Sequence, residues 1–217
     1  MSVRIEAGDS QNRDRAISMA YSTVRRGGLV IVPTESQYAV VTDAFSPRGT
    51  SLLREYKGLG PQVPLTVLVP NATAVSGITS SIPHFAKEIM ECYWPGELTL
   101  LLTAGTTLAW DHPVGAPIAV RMPRHPFLLD LLNASGPLAS SGAQQVSMPQ
   151  IAQADQLEAC EIDSVSVIIA AGDLVPGSGS TVIDCTGQNP TVLREGALSS
   201  QELTQFISDR GVSERSD

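Results

Sequence analysis

The chain has 217 residues, 42% of them hydrophobic and 17% charged, with a formal net charge of −8 at pH 7. This composition is typical of a globular protein and excludes a low-complexity disordered chain. The negative charge disfavours a protein whose whole surface binds nucleic acid, because phosphate contacts need clustered Lys and Arg. A local basic pocket inside an acidic surface is still compatible with it.

Membrane insertion, export and metal binding are not predicted. The longest apolar runs are too short to span a bilayer, and the first residues lack the apolar stretch of a signal peptide. We therefore expect a cytoplasmic protein with no membrane partner. The cysteines and histidines show neither paired nor zinc-ligand spacing, so neither a disulfide framework nor a metal site is predicted. These residues are Cys92, Cys160, Cys185, His84, His112 and His125.

The first half of the chain alternates helical and extended patterns. A helix is predicted where apolar residues recur every three or four positions, and a strand where a short apolar run is bounded by Gly or Pro. Gly27 and Gly28 end the first helix, and Pro47 begins the second. The predicted elements are a helix over 13–25, a strand over 29–33, a helix over 47–57 and a strand over 64–70.

The second half carries most of the predicted strands. Helices are predicted over 82–93, 125–135, 150–159 and 199–208, and strands over 97–103, 118–123, 137–141, 165–172, 180–186 and 191–196. Because these strands are not separated by regular helical crossovers, a doubly wound nucleotide-binding fold is not predicted. No linker divides the chain, so we expect one α/β domain over 14–208, between a lead-in at 1–13 and a polar tail at 209–217.

Four separated motifs lie in this framework: IVPTES at 31–36, WPGELTLLL at 94–102, IAVRMPRHP at 118–126 and GSGSTVID at 177–184. Their order and spacing, over about residues 14–200, resemble the Sua5/YrdC/YciO/YwlC family. The resemblance implies a twisted, mixed or largely antiparallel sheet with outer helices and a large concave pocket. It also implies synthesis of threonylcarbamoyl-AMP from threonine, bicarbonate and ATP, for the threonylcarbamoyladenosine modification of tRNA.

The first and third motifs supply the predicted substrate-binding residues. Thr34 and Ser36 follow a buried strand, and would either present hydroxyls to a cleft or cap the strand-to-loop turn. The resemblance implies that this segment contacts the amino acid, and Tyr38 lies where the family carries an aromatic residue. Arg121 is flanked by apolar residues, so a buried guanidinium there needs an anionic partner.

Two kinds of anion remain open for Arg121. One is structural, an ion pair with Asp130 or Glu97. The other is the carboxylate of threonine, which the resemblance implies and which suits a bidentate guanidinium.

The nucleotide site is predicted from other segments, since the chain has neither GxxxxGK[ST] nor GxGxxG. The small residues at 177–181 either form an ordinary turn or bring backbone N–H groups close to an anion. By the resemblance, Lys57 is a catalytic and nucleotide-binding residue, and Mg²⁺ accompanies ATP. The other nucleotide-binding residues implied in this way are Ser141, Gln144, Ser180 and Arg194.

Two segments depart from the family pattern. In KGLGPQVPL, Leu59 and Val63 stand where the family carries basic residues. In SSGAQ, Gly142 and Gln144 stand where the family carries a serine and an asparagine, and a shift of one residue does not restore the triplet. The loss of a cation and a hydroxyl from a site that stabilises phosphoryl charge lowers the expected rate.

Three functions are compatible with these residues. The leading hypothesis is a threonylcarbamoyl-AMP synthase that these changes impair. The second is a non-catalytic paralogue that binds a nucleotide, tRNA or double-stranded RNA in the same cavity, and the third is a related enzyme of altered substrate. The KGLG and SGAQ segments discriminate the first from the second, because Lys57 alone offers little positive charge to a triphosphate.

Overall fold

A computed structural model of the chain describes residues 2–7, 10–60, 63–106, 116–160 and 163–209. His112 and residues 210–217 of the predicted tail lie outside these ranges. Within them, no helix is both long enough and apolar enough to cross a membrane.

The described residues form ten strands, five α-helices and two 3₁₀ helices. The strands are β1 Val3–Glu6, β2 Leu29–Pro33, β3 Tyr38–Asp43, β4 Thr66–Leu68, β5 Leu98–Thr103, β6 Pro117–Arg121, β7 Leu138–Gly142, β8 Val165–Ala170, β9 Thr181–Asp184 and β10 Thr191–Arg194. The α-helices are α1 Ser10–Arg25, α2 Pro47–Lys57, α3 His84–Tyr93, α4 Pro126–Ser135 and α5 Ser200–Asp209, and the 3₁₀ helices are Ala72–Gly77 and Asp155–Cys160.

All ten strands belong to one sheet, in the order β1-β8-β2-β3-β7-β4-β6-β5-β9-β10. Four neighbouring pairs are parallel, namely β1 with β8, β2 with β8, β4 with β6 and β5 with β9. The other five pairs are antiparallel. The sheet is therefore mixed, which confirms the prediction of a single α/β domain that is not doubly wound.

Helices cover both faces of this sheet, because successive residues of a strand point to opposite sides. On β2, Leu29 and Ile31 pack in the cluster that includes residues of α2, α3 and α5. Val30 and Val32 pack instead with α1 and α4. Strands β2 and β3 are consequently buried along their whole length, as central strands between two helical layers usually are.

Local signals determine where α2 begins and ends. The Ser46 hydroxyl accepts a hydrogen bond from the Gly49 N–H at the first turn, next to Pro47. Gly58 ends the helix with φ 61°, a left-handed conformation that glycine adopts without steric cost. The last turn of α2 therefore places Lys57 at a defined position beside the end of β7.

Three parts of the fold differ from the sequence-based expectation. The predicted lead-in at 1–13 contributes β1, which pairs with β8 in parallel, and the first turn of α1. Strand β3 was not predicted. Of the helix expected over 150–159, only the 3₁₀ helix Asp155–Cys160 forms. The residues before it are irregular, because side chains of Gln156 and Asp173 bind the backbone N–H groups of residues 152–154.

Candidate functional site

The loop between β2 and β3 carries two of the predicted substrate-binding residues. The Thr34 hydroxyl donates to the carbonyl oxygen of Gln37 at 2.6 Å, so it closes the turn, as the capping alternative expects. The Ser36 hydroxyl donates to a carboxylate oxygen of Glu97 at 2.5 Å. In this structure both hydroxyls are therefore engaged with other parts of the chain.

Arg121 lies at the end of β6 with its side chain only 10% exposed. Its Nε donates to the carbonyl oxygen of Gly96 at 2.9 Å, and its Nη2 donates to Glu35 Oε2 at 2.5 Å. The other oxygen of that carboxylate accepts the backbone N–H of Arg124. The buried guanidinium thus has an anionic partner, and that partner is Glu35.

Neither of the two structural partners expected for Arg121 pairs with it. Asp130 instead accepts from Arg13, with Arg13 Nη2 2.6 Å from the carboxylate. Glu97 accepts from Ser36. The structural alternative of an ion pair within the chain is therefore observed, but Asp130 and Glu97 were the wrong partners, because the loop after β2 brings a third carboxylate closer.

Ser180 precedes β9 and is held by both its hydroxyl and its carbonyl. The Ser180 and Thr99 hydroxyls are 2.7 Å apart, and Arg194 donates to the Ser180 carbonyl oxygen from Nε at 3.1 Å and from Nη2 at 2.7 Å. A Cβ atom at Gly196 would lie 2.4 Å from the Gly179 carbonyl oxygen, so the backbone approach requires glycine. The segment 177–181 is therefore fixed by β5 and β10.

Arg121 and Ser180 lie on the same side of the sheet. Val120 belongs to the cluster on one face, so its neighbour Arg121 points to the opposite face. Leu100 pairs with Val120, and alternation along β5 places Thr99 on the same side as Arg121. The bond between the Thr99 and Ser180 hydroxyls brings Ser180 to that side as well.

Lys57 is buried at the end of α2 and binds the backbone that follows β7. Its Nζ donates to the Gly142 carbonyl oxygen at 2.9 Å and to the carbonyl oxygen of Gln144. The neighbouring Tyr56 hydroxyl donates to the Ala143 carbonyl oxygen. Burial lowers the pKa of the Lys57 ammonium group, because the charged form loses solvation.

The two altered residues at the end of β7, Gly142 and Gln144, contact each other. A Cβ atom at Gly142 would lie 2.4 Å from the side-chain oxygen of Gln144, so this side chain occupies the space that a larger residue at 142 would need. The same Gln144 oxygen is buried and accepts no hydrogen bond within the described residues. Ser141, the remaining predicted nucleotide contact here, is half-buried and pairs with Val40 of β3.

Tyr38, the first residue of β3, is fully buried in the core, and Thr34 and Ser36 in the preceding loop are buried as well. Its hydroxyl donates to the Gly172 carbonyl oxygen at 2.6 Å and accepts the Ala171 N–H at 3.0 Å. Burial raises the pKa of this phenol. The geometry therefore gives Tyr38 a role in holding the segment after β8.

His125 precedes α4 beside the Arg121 site. Its Nδ1 is buried and has no hydrogen-bond partner among the described residues. Burial lowers the pKa of His125, the carboxylate of Glu35 opposes this shift and the charge of Arg13 adds to it. The imidazole is thus favoured in its neutral form.

The predicted segments meet around the loop between β2 and β3. A Cβ atom at Gly177 would lie 3.0 Å from Ser36 Cβ and 3.7 Å from a carboxylate oxygen of Glu97. On the other side, the Ala143 N–H donates to the Tyr38 carbonyl oxygen, which joins the Lys57 segment to the same loop. The large concave pocket implied by the resemblance remains a prediction.

Two carboxylates in this region were not predicted as site residues. Glu35 lies inside the PTES motif, and Glu97 inside the WPGEL motif. The signal for Glu35 was the apolar context of Arg121, which requires a nearby anion. Among the described residues, no three or more His, Cys, Asp or Glu side chains are grouped so that they could hold a metal ion.

Comparison with known proteins gives a consistent family assignment. The Sua5/YciO/YrdC family model, described as "Telomere recombination", matches residues 22–196. A putative threonylcarbamoyl-AMP synthase of Mycobacterium tuberculosis (strain CDC 1551 / Oshkosh) is 33% identical over 208 residues, covering 95% of this chain and 96% of the relative. The threonylcarbamoyl-AMP synthase of Bacillus subtilis (strain 168) is 28% identical, covering 94% of this chain and 61% of the relative.

Solved structures agree with that assignment. Pyrococcus abyssi Sua5 complexed with L-threonine has a TM-score of 0.85 and 27% identity, covering 95% of this chain and 61% of that one. The chain thus spans less than two thirds of the Bacillus and Pyrococcus proteins. Escherichia coli YciO has a TM-score of 0.79 at 24% identity, which supports the fold. By its sequence motifs, its sheet and these similarities, the chain belongs to the Sua5/YciO/YrdC family.

Proposed function

We propose that this chain is a threonylcarbamoyl-AMP synthase whose rate is reduced by the changes at residues 59, 63, 142 and 144. It would join threonine, bicarbonate and the AMP part of ATP, and release pyrophosphate. The observation that carries this proposal is the buried Arg121, whose donors already hold a carboxylate at a predicted amino-acid site. The names of the curated relatives support the same reaction.

In this proposal the threonine site lies at the loop after β2. Arg121 pairs with the carboxylate of the amino acid, because a guanidinium binds a carboxylate through two parallel hydrogen bonds. Ser36 and Thr34 offer hydroxyls within the same loop. Their present partners are other residues of the chain, so substrate binding would exchange one set of hydrogen bonds for another.

The nucleotide site lies between α2, the end of β7 and the start of β9. Lys57 supplies positive charge next to residues 142–144, and an ammonium has three N–H donors, two of which bind carbonyl oxygens here. Arg194 is exposed and fixed by its bonds to Ser180. Both cations would stabilise the phosphates of ATP.

Magnesium is proposed to enter with the nucleotide. The described residues offer no cluster of three metal-ligating side chains, so they do not form a dedicated protein cage for the ion. Mg²⁺ commonly uses the phosphate oxygens of its nucleotide and retained waters as ligands.

A second candidate function is a binding paralogue without catalysis. It is favoured by the Gln144 side chain, which fills the space beside Gly142 where the resemblance implies a serine hydroxyl. Such a protein would hold a nucleotide, tRNA or double-stranded RNA in the same region. The net charge of −8 limits any RNA contact to a local surface.

One set of titrations tests the two functions together. ATP is titrated calorimetrically with and without threonine and bicarbonate, and pyrophosphate release and threonylcarbamoyl-AMP are then measured with each substrate omitted in turn. The synthase proposal expects slow release that requires both threonine and bicarbonate, and loss of that release in Lys57→Met. ATP binding without such turnover would favour the binding paralogue, and absence of ATP binding would exclude a nucleotidyltransferase.

A further inference from the structure

The donors around Arg121 form a complete carboxylate site that the chain itself fills. Glu35 Oε2 accepts from Arg121 Nη2 at 2.5 Å, and Glu35 Oε1 accepts from the backbone N–H of Arg124. A guanidinium and a backbone N–H that bind the two oxygens of one carboxylate are the kind of donors that recognise a free carboxylate ligand. Glu35 therefore occupies the position where a ligand of that class would bind.

The charge balance of this site allows one carboxylate. The side chains of Arg121 and Glu35 are 10% and 9% exposed, so their charges are largely removed from water and compensate each other. The carboxylate of a ligand added beside Glu35 would share one guanidinium with it, and two carboxylates so close together in a poorly solvated site repel each other. A ligand carboxylate that takes the place of the Glu35 side chain keeps a single carboxylate at Arg121.

The hydrogen bonds of the guanidinium indicate which partner would move. An arginine can bind a carboxylate with two nitrogens through either of two edges of its guanidinium, and Nη2 belongs to both edges. In Arg121 this nitrogen already donates to Glu35. The Nε partner is the carbonyl of Gly96, whose own N–H donates to the Met122 carbonyl oxygen at 2.9 Å. Backbone contacts thus fix Gly96, whereas Glu35 is a flexible side chain on a loop.

We propose that Glu35 is a built-in competitor of the substrate carboxylate, and that an amino-acid ligand binds Arg121 and the Arg124 N–H only by replacing it. The identity of the ligand as threonine rests on the proposed function. The carboxylate site itself does not, since it follows from the contacts of Glu35. Glu35 then sets the affinity for the amino acid by lowering the fraction of protein with a free site.

The first experiment is a calorimetric titration of threonine, at fixed ATP, into wild type and Glu35→Gln. A neutral amide competes less well for a guanidinium, so the dissociation constant for threonine should fall by about tenfold or more. Threoninamide, which lacks the carboxylate, should show no such gain. Asp130→Asn is the matched control, because Asp130 pairs with Arg13 and not with Arg121, and it should not tighten threonine binding.

The second experiment does not depend on threonine. Glu35→Ala leaves Arg121 without its carboxylate, and sodium propionate should then raise the unfolding temperature of this variant with the logarithm of its concentration. The wild type should respond no more to propionate than to sodium chloride. Propionamide should have no effect on either protein.

The outcomes separate the two proposals. Weaker or unchanged threonine binding in Glu35→Gln, while the wild type binds threonine, would overturn the competitor role and leave the synthase proposal intact. Stabilisation of Glu35→Ala by propionate, with no threonine binding in any variant, would support the carboxylate site and contradict the synthase. An equal response of wild type and Glu35→Ala to propionate would show that no carboxylate site opens. If Glu35→Ala does not fold, Glu35→Gln decides the proposal by the first experiment.

Discussion

The two buried cations of the site are neutralised in different ways. Arg121 is paired with the carboxylate of Glu35. Lys57 donates to backbone carbonyl oxygens, and none of the ion pairs found among the described residues includes it. Carbonyl groups are neutral acceptors fixed by the backbone, whereas a glutamate side chain is charged and movable.

This difference indicates how Lys57 and Arg121 each respond to an incoming anion. At Lys57 the positive charge is still uncompensated, so a phosphate gains attraction without displacing a charged group. Burial disfavours the charged form of the lysine, which is why its pKa is lowered. At Arg121 an incoming carboxylate must compete with one that is already bound.

The largest expected effect is on catalysis at the Lys57 end. Leu59→Arg with Gly142→Ser and Gln144→Asn restores the residue types implied by the resemblance, and one well-placed donor commonly contributes about a hundredfold in rate. Pyrophosphate release that requires threonine and bicarbonate should rise by about that factor. The variant without Leu59→Arg is the control, because Leu59 packs against the core and its replacement carries a separate stability cost.

A wild-type rate equal to that of an intact family enzyme, assayed alongside it, would contradict the impairment. The changed residues would then be tolerated differences, and an ordinary synthase would be the better description of this chain.

The next effect concerns threonine affinity at the Arg121 end. Arg121→Ala removes the guanidinium and should weaken threonine binding by about 2 kcal/mol, or about thirtyfold, the scale of a lost charged hydrogen bond. Arg124→Ala is the matched control, since Arg124 contacts Glu35 through its backbone N–H and keeps that group. Equal losses in both variants, measured by calorimetry, would exclude a specific role for Arg121.

A smaller effect is expected from the contact between Gly142 and Gln144. Gly142→Ser alone displaces the Gln144 side chain and should lower the free energy of unfolding by about 1 kcal/mol. Gly142→Ser with Gln144→Asn should recover much of this loss, because the shorter amide leaves room. Urea denaturation of the wild type, Gly142→Ser, Gln144→Asn and the double variant gives the coupling free energy between residues 142 and 144. Additive effects would show that the two residues are independent.

The smallest effect is a pH dependence from His125. Its pKa in the folded state is lowered, so the unfolded chain binds more protons once the pH falls below the ordinary histidine value of about 6.5. The histidine therefore contributes to a loss of stability as the pH falls from about 7 toward 5. His125→Asn should make the fall in unfolding free energy less steep. A slope in His125→Asn equal to that of the wild type would contradict this role of His125.

The helix α2 shows how far local sequence determines the fold. Its bounds at Pro47–Lys57 agree with the prediction, which rested on Pro47 in the first turn, and the caps at Ser46 and Gly58 also act on their immediate neighbours. Strand β1 shows the opposite case, since only Ile5 of its four residues is buried and so short a segment carries little local signal. Its place in the sheet depends on β8, more than 150 residues later in the chain. The order of the motifs predicted the family and the mixed sheet, although not the order of its strands.

The sequence by itself determined which residue types are available to the site, namely a buried arginine, a lysine at a helix end and small residues before β9. Only the tertiary structure decided which groups pair. Arg121 meets Glu35 across 86 positions, and Lys57 meets the carbonyl oxygens of Gly142 and Gln144 across 85 and 87. Several carboxylates were equally plausible partners in the sequence, because charge attraction depends on distance and burial. The sheet topology sets both.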